Sequence, residues 1–376
     1  MDVRAFIERI RRLNIQYITG VPDSTLKHFC NYLSCYEKND IKHIVAANEG
    51  SAVGIAAGVY LSTGRSACIY MQNSGIGNTV NPIVSLLNEK VYAIPALLII
   101  GWRGQPGVKD EPQHIFQGEI TRELCKIMNI PYGIIGKDTV DSEADAVFCE
   151  ADENLKNGKQ YAIIIKQDTF DHTNSKENAN SYSLIREEAI AEIICYCRDD
   201  DVIVSTTGKI SREVYTQCEK IKNNHNQCFL TVGSMGHASM IALGIALNRK
   251  KKKVICIDGD GAVLMHMGTL PTIARHNPSN MVHIVLNNDA HESVGGMATC
   301  APGLSIAEVA KASGYKETYC VENLDSLREA LRLAYNSQNV ALIEVKVSMF
   351  SRKDLIRPKE SAVENKESFM TFHGLC

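Results

Sequence analysis

The chain has 376 residues, 45% of them hydrophobic and 22% charged, with a formal net charge of −3 at pH 7. That length suggests two domains, the composition is that of a globular enzyme, and the slightly acidic balance removes any general case for nucleic-acid binding. The most apolar run, 91–102, is too short to span a bilayer and contains Pro95, so no membrane partner is expected.

From the N-terminus, MDVRAFIERI carries acids and lacks a signal-peptide core. The 13 cysteines follow no framework spacing. Both features point to a reducing cytoplasm, with most thiols read as core residues. Apolar residues recur at three- and four-residue steps over Val3–Leu13 and Thr25–Tyr36, which predicts helices. A strand is expected at His43–Ala47, a helix at Ser51–Leu61, and strands at Ala67–Met71, Ala96–Ile100 and Ala162–Lys166. A second set follows: helix Leu184–Cys197, strand Val202–Ser205, helix Ala238–Leu247, strands Val254–Ile257 and Val282–Leu286, helix Leu324–Ala334 and strand Ala341–Val347. This alternation predicts an α/β protein with two doubly wound parallel sheets covered by helices on both faces. Between the sets, Asp168–Ser183 is polar and rich in Asn and Ser, and reads as a linker between domains 1–167 and 184–358. Residues 359–376 read as a polar tail, partly ordered. No internal repeat is evident.

The stretch ICIDGDGAVLMHMGTL, 255–270, ends an apolar strand in Gly259-Asp260-Gly261. Ligands of open parallel sheets bind at the carboxyl ends of strands. A helix starting at Gly261 and Ala262 would favour a phosphate at its free N–H groups, which the acidic Asp260 does not. A cation between carboxylate and phosphate resolves the conflict; a tight turn with a capping Asp is the plainer alternative. The next strand ends in Asn287-Asn288-Asp289-Ala290. One strand–helix–strand unit separates Asp260 from Asn288, which puts both at one edge of the sheet. One carboxylate, one amide oxygen, one backbone carbonyl, two phosphate oxygens and a water would complete an octahedral Mg²⁺ site.

This pairing of GDG with NN resembles the thiamine-diphosphate signature of the decarboxylase and acetolactate-synthase superfamily. The resemblance implies thiamine diphosphate and Mg²⁺ as cofactors, with Asp260, Asn288 and the Ala290 carbonyl as metal ligands and Gly259 at the diphosphate turn. It implies cofactor contacts from Thr207 and Gly208 in STTGKISRE, and from Ser234 and Met235 in GSMG, where an apolar wedge bends the cofactor. HIVAANEGSAVGIAAG resembles the superfamily's activating-glutamate segment, with Glu49 as the acid after a strand and before a small-residue helix. QNSGIGN, 72–78, would line the cofactor through Asn73 and Ser74; by residue type it is a glycine-rich turn with Asn78 or Thr79 as a helix cap. His291 is either a substrate contact or proton donor, or a structural histidine. The implied activity is decarboxylation of a 2-keto acid through a thiamine ylide and enamine. The implied assembly is a homodimer or higher homo-oligomer with sites between subunits. A carboligase and a regulatory subunit with an inactive thiamine fold are the alternatives.

The substrate must be read elsewhere. GVPDSTLKHF puts Asp23 and Ser24 at a strand-to-helix turn. GWRGQPGVKDEPQHIFQG, 101–118, reads as a Gly/Pro-rich loop carrying Arg103, Lys109 and His114. Three potential cations would suit a small-molecule keto acid bearing a second acidic group. Lys109, beside Gly107, is expected to project inward; the opposing reading is a solvated loop whose charges pair with Asp110, Glu111 and Glu119. Within the superfamily these stretches resemble members acting on phosphonate- or sulfonate-bearing keto acids.

Overall fold

The computed structural model describes residues 1–35, 41–173 and 180–375. The expected linker Asp168–Ser183 and helix Thr25–Tyr36 thus lie partly outside the described residues. The chain forms two compact units: residues 1–177 with 294–297, and residues 178–293 with 298–376.

The first unit contains β1 (Tyr17–Gly20), β2 (Lys42–Val45), β3 (Ala67–Gln72), β4 (Ala96–Gly101), β5 (Tyr132–Ile135) and β6 (Gln160–Ile165). They form one sheet in the order β2-β1-β3-β4-β6-β5, with every pairing parallel. The second unit contains β7 (Val202–Ser205), β8 (Cys228–Leu230), β9 (Val254–Gly259) and β10 (Met281–Asn287). After the two-residue strands β11 (Ala290–His291) and β12 (Met297–Ala298) come β13 (Glu317–Val321) and β14 (Ala341–Lys346). Its large sheet runs β13-β14-β10-β9-β7-β8, again parallel throughout.

Numbered within each unit, both sheets follow the order 2-1-3-4-6-5. The sequence shows no repeat, yet the winding is the same. Chain reversal occurs between β1 and β3 in the first unit and between β7 and β9 in the second, which places binding loops at those carboxyl ends.

The central strands are buried at every position, as in ALLIIG of β4 and VICIDG of β9. Covering helices on both faces explain their near-continuous apolar runs. In the first unit one face packs around Phe6, Phe29, Phe148 and Phe170, the other around Ala52, Ile69, Leu98 and Trp102. Phe170, in the segment read as linker, is part of that core.

Three strands of the two large sheets were not anticipated: β5, β8 and β13 are edge strands, short or half-exposed, and carry little periodic signal. β1, expected only as the strand leading into the Asp23 turn, is four residues long. The segment read as a loop over 101–118 instead enters a helix, Pro112–Ile127, with Pro at its first position. Five of the described cysteines are exposed, so the reading of most thiols as core holds less widely than expected.

The polar tail also differs. Ala362–Phe372 is a helix with a capping box in which Ser361 and Glu364 bond each other's backbone N–H groups. Phe369 packs edge-on against Phe229 at 5.8 Å. Asn365 accepts from the Leu230 N–H and donates to the Cys228 carbonyl, both at 3.1 Å. The outer edge of β8 is thereby satisfied by a side-chain amide rather than another strand. Asn365→Ala should cost about 1–3 kcal/mol of stability, the usual range when buried backbone groups lose partners. Urea unfolding checks this, and an unchanged midpoint would remove Asn365 as the edge cap.

Candidate functional site

The second unit gathers its functional residues at the carboxyl ends of β7, β8, β9 and β10. Asp260 follows β9 directly and begins the helix Asp260–Met265. It is 3% exposed. Burial pushes its carboxyl up to about 6, against the Thr299 hydroxyl, which donates to Oδ2 at 2.6 Å. Among the described residues Asp260 has no salt bridge. A buried carboxylate with no counter-charge is a position for a cation.

Asn288, after β10, is 4% exposed. Its Nδ2 donates to Glu292 Oε2 at 3.0 Å, while its Oδ1 accepts the Ala290 N–H at 3.2 Å. The amide is thus oriented with its donors on Glu292 and its oxygen, which has a second lone pair, available to a metal. Burial, the largest single influence, would raise Glu292; the Arg186 charge, the Ser351 hydrogen bond and Lys209 together outweigh it and bring its carboxyl down to about 2. Arg186 ion-pairs with Glu292 and is gripped on its other side by Glu213, at 2.7 Å to each carboxylate oxygen. Sequence reasoning missed Glu292, Arg186, Glu213 and Thr299. Glu292 lies one helical step beyond Asn288, a weak local signal; Arg186 is 106 residues from Glu292 and gives none.

Met235 and His291 converge on Gly261. A Cβ there would lie 3.2 Å from both Met235 Cε and His291 Cε1, so the two side chains pack closely over the glycine. Ser234 takes a left-handed φ of 52° and Gly236 one of 86°, which shape the GSMG turn. Burial pushes His291 down to about 4, so its ring is uncharged at neutral pH. Thr207 donates to the Val232 carbonyl at 2.8 Å, and Gly208, φ 89°, precedes the helix Lys209–Lys222. Gly259 and Ala262 flank Asp260 and are buried; Ala290 is 7% exposed.

In the first unit, Glu49 opens the helix Glu49–Thr63, capped by Asn48, whose Oδ1 accepts the Ser51 N–H at 2.8 Å. Glu49 is 5% exposed. Burial raises its pKa, partly offset by Asn78, whose Nδ2 donates to Oε2 at 2.7 Å. A Cβ on Gly75 would sit 2.3 Å from Glu49 Oε1, so the loop after β3 closes directly over the acid. Neither Asn78 nor Thr79 caps a helix: the helix Ile76–Pro82 has Gly75 at its cap, and Thr79 bonds back to the Ile76 carbonyl at 2.8 Å.

Asn73 is buried and committed. Its Nδ2 donates to the Arg103 carbonyl at 2.8 Å and to Thr121 Oγ1 at 2.9 Å, and its Oδ1 accepts the Arg103 N–H at 3.2 Å. It ties two loops together rather than offering its amide to a ligand. Ser74 is exposed and donates to Gln72 Oε1 at 2.8 Å.

The expected cation cluster is only partly assembled. Arg103 binds Asp110 through Nε at 2.8 Å and through Nη2, and its Nη1 donates to Ser24 Oγ at 2.7 Å. Asp23 is fully buried, bonded by Gln72 Nε2 at 2.6 Å and the Leu26 N–H at 3.1 Å, with its pKa raised by burial. It braces the turn and is not an open contact. Lys109 lies in an exposed stretch, not projected inward, because Asp110 engages Arg103 and the backbone of Gly104 and Glu111. His114, half-buried on the helix Pro112–Ile127, is pushed down to about 4 by burial and then by the Arg103 charge, and so is no cation at neutral pH.

In the cofactor-free protein, the shift of Asp260 from 3.8 to about 6 has a definite sign. Its favourable contribution is complete below about pH 4 and is lost as pH rises through about 6, a change of roughly 3 kcal/mol. Asp260→Asn removes that loss. Its Tm near pH 8 without Mg²⁺ or cofactor should exceed that of the unmodified chain, while Mg²⁺-dependent retention of thiamine diphosphate should vanish in calorimetry. Unchanged cofactor affinity would sink the metal assignment.

The model of the thiamine pyrophosphate enzyme N-terminal TPP binding domain matches residues 3–125, and that of the C-terminal TPP binding domain matches 207–345. A phosphonopyruvate decarboxylase of Streptomyces viridochromogenes is 33% identical over 377 residues, covering 96% of this chain and 92% of the relative. One from Streptomyces hygroscopicus is 32% identical over 96% of this chain and 91% of the relative. A sulfopyruvate decarboxylase of Methanosarcina acetivorans is 28% identical over 90% of this chain and 89% of the relative. Both domain models match in the order of the two sheets, and relatives align nearly end to end: the chain belongs to the thiamine pyrophosphate-dependent decarboxylase family.

Proposed function

We propose that the chain converts 3-phosphonopyruvate to phosphonoacetaldehyde and CO₂, a step of phosphonate biosynthesis. The observation that carries this reading is the 33% identity over 96% of the chain with a phosphonopyruvate decarboxylase. The second reading, sulfopyruvate as substrate, is favoured by the 28% match to a sulfopyruvate decarboxylase. Both substrates are small keto acids with a second acidic group.

Asp260, Asn288 through Oδ1, and the Ala290 carbonyl would hold Mg²⁺, which in turn would hold the cofactor's diphosphate. Asp260 fits that role because it is buried without a counter-charge, and Asn288 because Glu292 takes its amide donors. Gly259, Gly261, Ala262, Thr207, Gly208 and Ser234 would line the diphosphate side, with Met235 beneath the ring system. When bound, thiamine diphosphate supplies an electron sink for the pair left as CO₂ departs. Glu49, with its raised pKa and its Oε2 fixed by Asn78, would hold a proton against the pyrimidine side. His291, uncharged, would orient substrate or accept a proton. The assembly in this reading is a homodimer or larger, pairing the first unit of one subunit with the second of its partner.

Glu49→Gln should keep cofactor binding and slow hydrogen–deuterium exchange at the thiazolium C2 by roughly 10²-fold, the scale of acid–base catalysis. Exchange at the unmodified rate would remove Glu49 from the reaction.

Substrate choice is tested by kcat/KM for phosphonopyruvate, sulfopyruvate and pyruvate; the first should lead. For specificity, the structure shifts weight from Lys109 to Arg103, which is braced by Asp110 and Ser24 at the carboxyl end of β4. Arg103→Ala should lose roughly 2–4 kcal/mol in kcat/KM for phosphonopyruvate, as for one desolvated charge contact, and far less for pyruvate. Lys109→Ala should change neither. Equal losses for both substrates in Arg103→Ala would make it a scaffold residue.

A further inference from the structure

On the same two strands that end in the Asp260 and Asn288 turns lies a cluster that decarboxylation does not use. Cys256 and Asp258 are two residues apart on β9 and share a face of the sheet. His283 on β10 is the register partner of Cys256. All three are 0% exposed. Their ligand atoms, one sulfur, one carboxylate oxygen and one imidazole nitrogen, lie within 4.8 Å of one another.

Hydrogen bonding within the cluster is incomplete. Asp258 Oδ1 accepts the Gly259 N–H at 3.0 Å, but Oδ2 has no hydrogen-bond partner. His283 Nδ1 meets the Tyr315 hydroxyl at 3.3 Å, but Nε2 has none. The two orphaned atoms face each other at 3.5 Å. Buried polar atoms without partners are rare and costly, and two converging on a thiol call for an occupant. Tetrahedral ligation at about 2.0–2.3 Å puts neighbouring donors about 3.3–3.7 Å apart, which matches the carboxylate–imidazole separation.

We propose that Cys256, Asp258 and His283 bind a transition-metal ion of the Zn²⁺ class through three protein ligands, with a water in the fourth tetrahedral position, distinct from the ion that Asp260 and Asn288 would hold. A thiolate, an imidazole and a carboxylate form a zinc-type donor set, whereas Mg²⁺ prefers oxygen ligands and retained waters. Tyr315 on Nδ1 leaves Nε2 for the metal and fixes the ring, the usual second contact of a ligating histidine. One thiolate and one carboxylate neutralise a dication, so the filled site carries no net charge. Burial and the neighbouring Asp258 keep the empty site's thiol protonated, and metal entry releases that proton. The ion would pin β9 to β10 just before Gly259 and Asn287, the residues from which both cofactor-side turns depart.

The test uses full-length holoenzyme produced in medium supplemented with Co²⁺, then gel-filtered in saturating Mg²⁺ and thiamine diphosphate. Plasma mass spectrometry should find one cobalt or zinc per chain, and cobalt-loaded protein should show a thiolate-to-metal charge-transfer band. Cys256→Ser should lose the band and the ion while keeping Mg²⁺-dependent cofactor binding. His283→Gln provides the same comparison if the serine variant does not fold. A wild-type chain without transition metal after this loading overturns the proposal. So does a band of equal strength in Cys256→Ser or His283→Gln.

Discussion

Asp260 carries an acid to 3% exposure at the end of a strand buried along its whole length, with a hydroxyl beside it and no cation. In a medium of low dielectric that charge is expensive, and the surrounding residues are arranged around it. Asn288 does not bond Asp260; its donors go to Glu292. Glu292 is balanced by Arg186 and Lys209, and Arg186 by Glu213. Two basic and two acidic side chains thus neutralise one another and leave Asp260 outside their network. The geometry of the second unit therefore favours an ion supplied from outside the chain.

The common 2-1-3-4-6-5 winding puts different chemistry on equivalent positions. After the second strand of the first unit comes Glu49; after the second strand of the other comes the GSMG turn with Met235. After the third strands come Gln72–Gly75 and Gly259–Gly261. In both units a glycine in the third-strand loop allows close approach: Gly75 to the Glu49 carboxylate, Gly261 to Met235 and His291. One unit uses this loop to bury an acid and raise its pKa, the other to bring a methionine and a histidine close to the turn that carries Asp260.

What could be read from the sequence followed the range of the interactions. β4, β9 and β10 are long and buried, so their apolar runs mark them, and the turns at their ends point to Asp260 and Asn288. Glu49 was legible because its strand, its cap and its small-residue helix are contiguous. The edge strands β5, β8 and β13 were not, since β8 is only three residues long and β5 and β13 are half-exposed and carry no clear period. Lys109 was misjudged because the turn around Gly107 says nothing about Asp110 folding back on Arg103. Asn73 looked like a ligand contact, and only the approach of Arg103 and Thr121 from elsewhere in the fold shows that its amide is already taken. Arg186 and Thr299 act over distances that leave no trace in local pattern.

The helix that covers β8 follows the last strand of the second unit's sheet. During synthesis Asn365 is made 135 residues after Leu230, so β8 can pair with β7 before its outer edge has this partner. Until that helix docks, the Leu230 N–H and the Cys228 carbonyl stay open on a sheet edge, the kind of surface that recruits strands from neighbouring chains. β8 limits that exposure by its length, three residues, and by lying beside a helix rather than an extended partner once that helix has docked. Docking of the helix Ala362–Phe372 thus acts as a closing step, sealing a sheet edge whose strands lie far earlier in the chain.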